Sequence, residues 1–517
     1  MKLTRRRALA LTAGGIGLAA LGGGGYTAYL YSSAKVDTIG EIDFTNALHI
    51  PPVQDGQIDN VGNRVFDLQM KPGSRRFKDG DDTATWGFNG DFLGPTLRAR
   101  RGETVKVNVR NSLPETSSVH WHGMHVPAAM DGGPHQSIAP TDTWSPEWTI
   151  DQPAATLWYH PHPHGATGRH VYQGLSGLFI IDDDEEEALD LPRGYGSNDI
   201  PLIVQDKKFT SDNQFDDDPG MLSQNGVLGD EILVNGTHSP YLDVHHDRVR
   251  LRILNGSGAR FFNFGFSDDR PFQVIASDGG LLERPHATRR LQLSPGERAE
   301  LVVELEAGRE TVLRSYPPEL HVDFIDARPH GGHDAFDVLQ LRTAATVSST
   351  AAVPDVLTDP IVVDTTEVAA TRTFELSGFT VNGQVMDMNR IDFGVAANSV
   401  EIWEVRNVDS WVHNFHVHDV QFQVLSVGGQ PPQGHMAGWK DTVQVYNGSP
   451  VRVAMRFGDL SDPNLPYMYH CHILYHEDQG LMGQFVVLGD GEEIGTVPYS
   501  DTGHDHGLAK ASSTPDS

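Results

Sequence analysis

The feature that most constrains the fold is a succession of short segments in which apolar and polar residues alternate. Clear examples are residues 103–109, 248–254 and 451–457. Alternation with a period of two is typical of a strand with one buried face, and 54 glycines and 31 prolines separate these segments with turns. Long segments with helical periodicity are scarce. The sequence therefore predicts an all-β protein built from sandwiches or barrels.

A weak internal repeat divides the chain into three units. The tripeptide Phe-Asn-Gly at residues 88–90 returns as Val-Asn-Gly at 234–236 and 381–383, so the spacings are 146 and 147 residues. Acidic residues 182–187 and polar residues 348–353 have the composition of linkers. These boundaries predict a first domain over residues 35–187, a second over 188–347, a third over 348–490, and a mobile polar tail over 491–517.

The N-terminal residues 1–34 have the composition of a targeting segment. Three arginines at positions 5–7 precede an apolar, glycine-rich stretch over residues 8–30, a pattern that resembles a twin-arginine export signal. The alternative is a single membrane anchor, which the many glycines disfavour. The sequence thus predicts a secreted or cell-surface protein that contacts the membrane only if this segment is retained.

The charge balance is strongly acidic, with 69 Asp and Glu against 39 Lys and Arg and a formal net charge of -30. Such a surface argues against partners that are nucleic acids or anionic lipids. Only 9 of the basic residues are lysines, and an Asp-rich, Lys-poor composition resembles that of salt-adapted proteins. We therefore expect activity or stability to fall in dilute buffer, where salt no longer screens the acidic surface.

Histidines occur in pairs far more often than random placement would give. Six His-x-His pairs are found among 25 histidines, against about one expected by chance. On a strand, residues i and i+2 point to the same face, so a pair presents two imidazoles side by side, which suits metal binding. Four of the pairs lie in strand-like sequence: His120 with His122, His160 with His162, His416 with His418, and His470 with His472.

The last of these pairs encloses the only cysteine of the chain. Because His470 and His472 share one face of the strand, Cys471 faces the other, and one strand serves two sites. His413 and His476 stand close by in sequence. One thiolate with two imidazoles is the trigonal ligand set of a blue copper site. The eight paired imidazoles are too many for one ion and indicate a cluster of several.

These segments resemble the copper motifs of the multicopper oxidases. The resemblance extends from Trp86 to Met482 and is closest to prokaryotic three-domain laccases and their cuprous-oxidase relatives. It implies three consecutive cupredoxin-like Greek-key β-sandwich domains. It also implies four copper ions: one type 1 ion, one type 2 ion and two type 3 ions.

Motif by motif, the resemblance implies which residues would hold each ion. Cys471, His413 and His476 would hold the type 1 copper, and Cys471 is joined through the backbone to cluster ligands on both sides. The cluster ligands would be His120 and His416 for type 2, His122, His160 and His472 for one type 3 ion, and His162, His418 and His470 for the other.

The sequence departs from its cuprous-oxidase relatives at the type 1 axial position. A methionine commonly stands ten residues after the cysteine there, but this chain has Leu481, followed by Met482. Leucine cannot coordinate, so the site would be three-coordinate with a raised potential, unless a local bulge brings Met482 inward. Residues 345–385 contain no methionine, whereas those relatives carry a Met-rich insert, so a dedicated Cu(I) oxidase is disfavoured.

Three carboxylates stand near the predicted ligands. Asp131 and Glu477 match acids that assist proton delivery to reduced oxygen in the family, although both could be solvated surface acids. Asp409, four residues before His413, would either border the donor cleft or solvate a loop.

The resemblance implies a laccase-type oxidase that couples oxidation of phenols or aromatic amines to reduction of O2 to water, and we expect a monomer. Two alternatives are an oxidase of Cu(I) or Fe(II) and a copper-free envelope scaffold of the same fold. Given export, the sequons at Asn235, Asn255 and Asn447 would make the protein a glycoprotein.

Overall fold

A computed structural model describes residues 35–220, 223–324, 326–360 and 362–498. The predicted signal segment and the tail beyond residue 498 lie outside these described residues. Within the described part of the chain, no helix has both the length and the apolar character needed to cross a membrane.

Strands dominate the described residues, which confirms the all-β class. The helices are short: α1 (Thr167–Gln173), α2 (Asp184–Glu187) and α3 (Leu474–Asp478), with 3-10 turns at Ala128–Met130 and Gly434–Ala437. The strands in chain order are β1 (Asn46–Ala47), β2 (Val53–Gln54), β3 (Gln57–Ile58), β4 (Arg64–Arg75), β5 (Thr83–Phe88), β6 (Thr96–Arg100), β7 (Thr104–Asn111), β8 (His120–His122), β9 (Thr143–Trp144), β10 (Glu147–Thr149), β11 (Ala155–His160), β12 (Gly177–Asp182), β13 (Asp199–Lys207), β14 (Glu231–Val234), β15 (Thr237–His238), β16 (Pro240–His246), β17 (Arg248–Asn255), β18 (Phe262–Phe266), β19 (Phe272–Ser277), β20 (Gly280–Thr288), β21 (Leu291–Leu293), β22 (Arg298–Glu304), β23 (Glu310–Tyr316), β24 (Phe336–Ser348), β25 (Ala370–Ser377), β26 (Thr380–Val381), β27 (Phe393–Ala396), β28 (Val400–Asn407), β29 (His413–Val417), β30 (Phe422–Val427), β31 (Trp439–Lys440), β32 (Thr442–Val445), β33 (Val451–Arg456), β34 (Tyr467–His470) and β35 (Met482–Leu488).

Each of the three domains is a pair of sheets. In domain 1, one sheet has the strand order β10-β7-β4-β3, with β5 beside β4 and β9 beside β7. It packs against a second sheet with the order β2-β6-β12-β11-β8. Domain 2 pairs β1-β16-β24-β23-β18-β21 with β15-β14-β13-β17-β22-β19-β20, and domain 3 pairs β26-β25-β28-β33-β30-β31 with β27-β35-β34-β29-β32. The alternating segments of the sequence bury one face of each strand in a separate apolar core for each domain.

Both ends of the described chain depart from the predicted domain division, in which residue 35 begins domain 1 and residues 491–517 form a mobile tail. Strand β1 pairs in parallel with β16 of domain 2, and the Val36 main-chain N–H donates to Asp334 Oδ1 at 3.0 Å, so this segment lies on domain 2 rather than domain 1. At the other end, Val497 is buried and the Gly495 N–H donates to the Pro463 carbonyl at 2.9 Å.

The Asn-Gly repeat corresponds to one turn that occurs in all three domains. Asn89, Asn235 and Asn382 adopt φ values of 60°, 51° and 51°, in the left-handed region that asparagine tolerates. Each side chain accepts a main-chain N–H and donates to the carbonyl two residues earlier on the same neighbouring strand. The partners are residues 69 and 67, 203 and 201, and 375 and 373.

Burial of two of the three sequon asparagines decides whether they can carry a glycan. Asn235 is buried, and its amide donates to the carbonyls of Pro201 and His49. Asn255 is also buried, with its amide donating to two carbonyls. Neither side chain is accessible to a glycan in the folded protein, and of the three sequon asparagines only Asn447 is exposed.

Candidate copper centres

Two pairs of neighbouring strands carry the paired histidines. In domain 1, β8 and β11 are antiparallel neighbours with His120 opposite His160, and in domain 3, β29 and β34 place His416 opposite His470. All four side chains are buried. Each domain therefore presents one patch of imidazoles at its edge.

The patches of domains 1 and 3 meet ring against ring. His120 stacks on His418 and His122 stacks on His416, each pair with ring centroids 3.8 Å apart. Ligand atoms lie within 4.8 Å of one another in four groups: His120 with His416 and His418, His122 with His160 and His472, His162 with His418 and His470, and His122 with His416 and Asp441. The structure thus brings all eight paired histidines into one buried cluster.

The free ring nitrogens test whether this cluster suits a metal. Among the described residues, five buried cluster nitrogens facing one another find no hydrogen-bond partner: His120 Nε2, His122 Nδ1, His160 Nε2, His416 Nε2 and His472 Nε2. The remaining three histidines meet at their Nε2 atoms, with separations of 3.3 Å from His162 to His470 and 3.2 Å from His418 to His470. Buried polar atoms are rarely left unpaired, so this donor set fits copper ions.

The protonation state of the imidazoles agrees with metal binding. Burial, together with the neighbouring imidazoles, lowers the pKa of His160, His162 and His472 well below the usual range. Burial and the charge of His120 lower the pKa of His418 to about 4, although Asp131 opposes the shift. At neutral pH these rings are neutral, which is the form that binds a metal.

A second centre lies on the opposite face of β34. The Cys471 thiol is buried, with Sγ 3.7 Å from His413 Nδ1 and 3.5 Å from His476 Nδ1. Burial raises the pKa of this thiol to about 12, so a metal would have to displace its proton. The geometry brings together the three residues predicted to hold a type 1 ion.

The outer nitrogens of the two imidazoles meet different groups. His413 Nε2 lies 3.3 Å from Asp409 Oδ1, so Asp409 borders this site. His476 Nε2 donates to the main-chain carbonyl of Gln224 in domain 2 at 2.7 Å. Each contact leaves the corresponding Nδ1 facing the thiol.

Leu481 and Met482 fall on opposite faces of the sheet. Leu481 packs in the same apolar cluster as Cys471, whose N–H donates to the Leu481 carbonyl at 3.1 Å. Met482 is the register partner of His470 and packs with Met386, Met388 and Met468. The pairing of β34 with β35 has no bulge, so Met482 stays on the side of His470, and Leu481, which packs in the Cys471 cluster, cannot coordinate a metal.

Asp131 connects cluster imidazoles from two domains. It is buried, with Oδ2 2.7 Å from His418 Nδ1 and Oδ1 3.4 Å from His120 Nδ1, while its main-chain carbonyl accepts from His120 Nδ1 at 2.9 Å. Burial alone would raise its pKa, but the charges and hydrogen bonds of His418 and His120 lower it below the usual range. Asp131 is therefore ionised and is not a solvated surface acid.

Glu477 lies beside the other side of the cluster. It is buried, with Oε1 3.4 Å from His162 Nδ1 and Oε2 3.3 Å from His470 Nδ1. Burial and the neighbouring Asp478 raise its pKa well above the usual range. Their surroundings thus shift the pKa values of the two acids in opposite directions.

Sequence reasoning missed three residues that contact these centres. Asp441 Oδ1 lies 2.9 Å from His122 Nε2, and Arg298 of domain 2 pairs with Asp441. Asn414 Oδ1 accepts the His472 N–H at 2.7 Å and lies 3.4 Å from Cys471 Sγ. The one available signal was the charged pair at residues 440–441 directly before the buried, apolar start of β32.

Comparisons with known proteins agree with this geometry. Three multicopper oxidase domain families match residues 69–186, 205–312 and 357–490. The multicopper oxidase mco of Staphylococcus aureus is 36% identical over 450 residues, which cover 86% of this chain and 92% of that protein. The chain belongs to the multicopper oxidase family.

Other similar proteins carry names that point to different functions. The cell division protein FtsP of Escherichia coli is 34% identical over 448 residues, covering 85% of this chain and 92% of FtsP. A laccase-like multicopper oxidase, CueO from Ochrobactrum sp., superposes with a TM-score of 0.78 at 35% identity, covering 85% of this chain and 100% of the other. A laccase from Pediococcus acidilactici gives 0.77 at 32% identity, covering 86% and 94%. The family is therefore clear, whereas its members differ in function.

Proposed function

We propose that this protein is a laccase-type multicopper oxidase that oxidises phenols or aromatic amines and reduces O2 to water. The observation that carries the proposal is that the predicted ligands come together in the structure: eight imidazoles form one buried cluster, and the buried Cys471 thiol lies with His413 and His476. Bound there, four copper ions would take single electrons from the donor at the Cys471 site and reduce O2 at the cluster.

The surface near His476 suits an aromatic donor. Trp411, Phe379 and Tyr475 are all partly exposed, and the Trp411 and Phe379 rings lie 5.7 Å and 5.8 Å from the His476 ring. Phe379 also contacts Trp411 and Tyr475, with ring centroids 5.1 Å and 5.7 Å apart. A flat donor can stack on these rings close to the buried imidazole.

Asp409 provides a polar partner for such a donor. Although burial opposes the shift, hydrogen bonds from His413 and from two main-chain N–H groups lower its pKa to about 2. Its carboxylate can therefore accept a hydrogen bond from a phenol O–H or an amine N–H and take up the proton that leaves as the donor is oxidised.

The cluster acids can supply the protons that water formation consumes. Burial favours the protonated form of Glu477, which lies beside His162 and His470, so it can release that proton toward the cluster. Ionised Asp131, between His120 and His418, can accept a proton from outside and pass it on. The complete burial of these groups limits the access of bulk water.

Oxidation of Cu(I) or Fe(II) is the second candidate. The Asp409 carboxylate beside His413 and the net charge of -30 would both attract a cation. The lack of methionine at residues 345–385 weighs against a soft Cu(I) substrate. We also propose export through the arginine-rich segment, which would allow the folded protein to meet its donor outside the cell.

Oxygen uptake by the copper-loaded protein, in high salt, tests the proposal when it is combined with a visible spectrum. We expect a blue absorption band and uptake with a phenolic donor at one O2 for four electrons. Uptake with Cu(I) alone would assign the protein to metal-ion oxidation. A colourless protein after copper loading would refute the role of Cys471 and favour a copper-free scaffold of the same fold, and one relative, FtsP, is named a cell division protein.

A further inference from the structure

Domain 2 contributes none of the predicted copper ligands, yet one of its turns reaches the cluster. Residues 294–297 connect β21 to β22 and lie against domain 3, and Arg298, which follows them, reaches domain 1. Gly296 has φ of +84°, and a Cβ placed there would lie 2.9 Å from His472 Nδ1 and 3.0 Å from His472 Cγ. The backbone of this turn therefore packs directly on a cluster imidazole.

Arg298 follows this turn, and all five N–H groups of its guanidinium donate hydrogen bonds to groups around the cluster. Nη1 and Nη2 form a fork on Asp441, at 2.8 Å to Oδ1 and 2.6 Å to Oδ2. The other three N–H groups reach the carbonyls of Thr156 in domain 1 (3.1 Å), Gly296 (3.1 Å) and Asp278 (3.0 Å). Arg298 and Asp441 are both buried, so this fork holds the carboxylate in one orientation.

The Asp441 carboxylate contacts the His122 imidazole at Nε2, whereas most cluster histidines use Nδ1 for such a contact. His122 donates from Nε2 to Asp441 Oδ1 at 2.9 Å, which leaves His122 Nδ1 facing the cluster. Five other cluster histidines instead engage a protein oxygen through Nδ1, which leaves Nε2 as the nitrogen toward the cluster: His120, His160, His416, His418 and His470. The hydrogen bond of the outer nitrogen fixes the tautomer, so Asp441 determines which nitrogen of His122 faces a metal.

Among the described residues, the buried cation beside this fork is already paired with other acids. Lys440 is buried nearby, but it pairs with Asp278 Oδ2 at 2.9 Å and Glu297 Oε1 at 2.7 Å. Thr442 also donates to Asp441 Oδ1 at 2.9 Å, but it carries no charge. Loss of the guanidinium would leave Asp441 free to turn away from His122 or to pair with Lys440.

We propose that Arg298 is a positioning residue for the cluster: through Asp441 it holds the His122 imidazole with Nδ1 toward the metal. A domain without ligands thereby sets the orientation of a ligand from domain 1 through a carboxylate of domain 3. The inference rests on the proposed function only in that it requires copper at the cluster.

The test uses copper titration of the full chain with Arg298→Lys, which keeps the charge but loses the fork, and Asp441→Asn, which keeps the size. Loss of an outer-sphere partner typically lowers metal affinity about 10- to 100-fold, and we expect that loss at the cluster alone. The Cys471 site should keep its blue band, and the paramagnetic resonance of the cluster copper should change relative to it.

The matched control is Asp199→Asn. Asp199 is as buried as Asp441 and receives a fork from Arg252, at 2.7 Å and 2.9 Å, without touching a cluster imidazole. This variant should lose stability without losing cluster copper. Because either Arg298→Lys or Asp441→Asn can fail to fold, thermal unfolding is measured for each and the conclusion is taken from whichever folds.

Three outcomes are distinct. Selective loss of cluster copper in the Arg298 or Asp441 variant supports the inference. Full copper content with an unchanged resonance in both variants, or equal loss in the Asp199 control, overturns it. Absence of a blue band in the unmodified protein would instead contradict the proposed function.

Discussion

The Cys471 thiol and the two imidazoles beside it all come from domain 3, whereas the eight cluster imidazoles come in equal number from domains 1 and 3. One folded domain can supply every ligand of the first site, from β29, from the residue that follows β34 and from α3, while domain 2 adds the Gln224 carbonyl that holds His476 Nε2. The cluster exists only when two domains dock, and Arg298 of domain 2 reaches it through Asp441. The difference separates a site whose ligands come from one domain from a site whose ligands come from two.

Replacement of the thiol should have the largest effect. In Cys471→Ser the blue band disappears and oxygen uptake with a phenolic donor falls to the background of the copper-free protein, because a hydroxyl does not replace the thiolate. The cluster should still bind copper, since its ligands are imidazoles from other positions. Loss of cluster copper in this variant would show that the two sites do not form independently.

Removal of the charge on Asp131 should affect the histidine cluster between domains 1 and 3 and leave the Cys471 site unchanged. Asp131→Asn weakens the contacts to His120 and His418 and removes an ionised group beside them, so oxygen uptake should fall about 10- to 100-fold with the blue band intact. The control is Asp392→Asn, an acid of domain 3 that accepts hydrogen bonds from the Tyr469 hydroxyl and the Gln484 N–H rather than from a cluster imidazole. Equal losses in both variants would point to general destabilisation.

The pH dependence of stability in the copper-free protein should also come mainly from the cluster. Burial lowers the pKa of His160, His162 and His472, and that of His418 to about 4, so below pH 6.5 the unfolded chain binds protons that the folded chain does not. The free energy of unfolding should fall as the pH decreases from 6.5, by about 1.4 kcal/mol per pH unit for each such histidine.

Glu477 acts in the opposite direction, because its raised pKa costs stability as the pH rises from about 4.5. Glu477→Gln should therefore steepen the acid-side loss, as measured by urea unfolding at several pH values. A flat profile between pH 4.5 and 6.5 in both proteins would contradict the burial of neutral imidazoles.

The smallest effect is expected at the axial position. Leu481→Met offers a thioether to the Cys471 site, which should stabilise Cu(II), lower the potential in a redox titration and slow phenol oxidation by less than about tenfold. Met482→Leu is the matched control on the other face and should leave the potential unchanged. A shift in the control instead would place Met482 at the metal.

Sequence reasoning succeeded where the relevant geometry is local. Period-two alternation predicts the strands, and strand parity predicts that His470 and His472 face away from Cys471. The register of β35 with β34 places Met482, the first residue of β35, opposite His470, and Leu481 precedes the strand. The asparagine repeat located the equivalent turns, although the burial of Asn235 that follows from such a turn was not recognised.

The rest depends on contacts between domains that no local pattern encodes. Arg298 and Asp441 are 143 residues apart in sequence, and neither has a motif of its own. The pairing of β1 with β16 likewise joins the start of the chain to domain 2, where proximity in sequence suggested domain 1. Such pairings follow from how the domains pack, which one sequence does not reveal.

The placement of Cys471 between His470 and His472 makes chain length, as well as residue identity, a condition for activity. Insertion or deletion of a single residue between Tyr467 and His472 would exchange the two faces of the strand and send imidazoles into the core while turning the thiol toward the other domain. Both centres would be lost in one step. This segment should therefore tolerate substitution of its core residues better than any change in spacing.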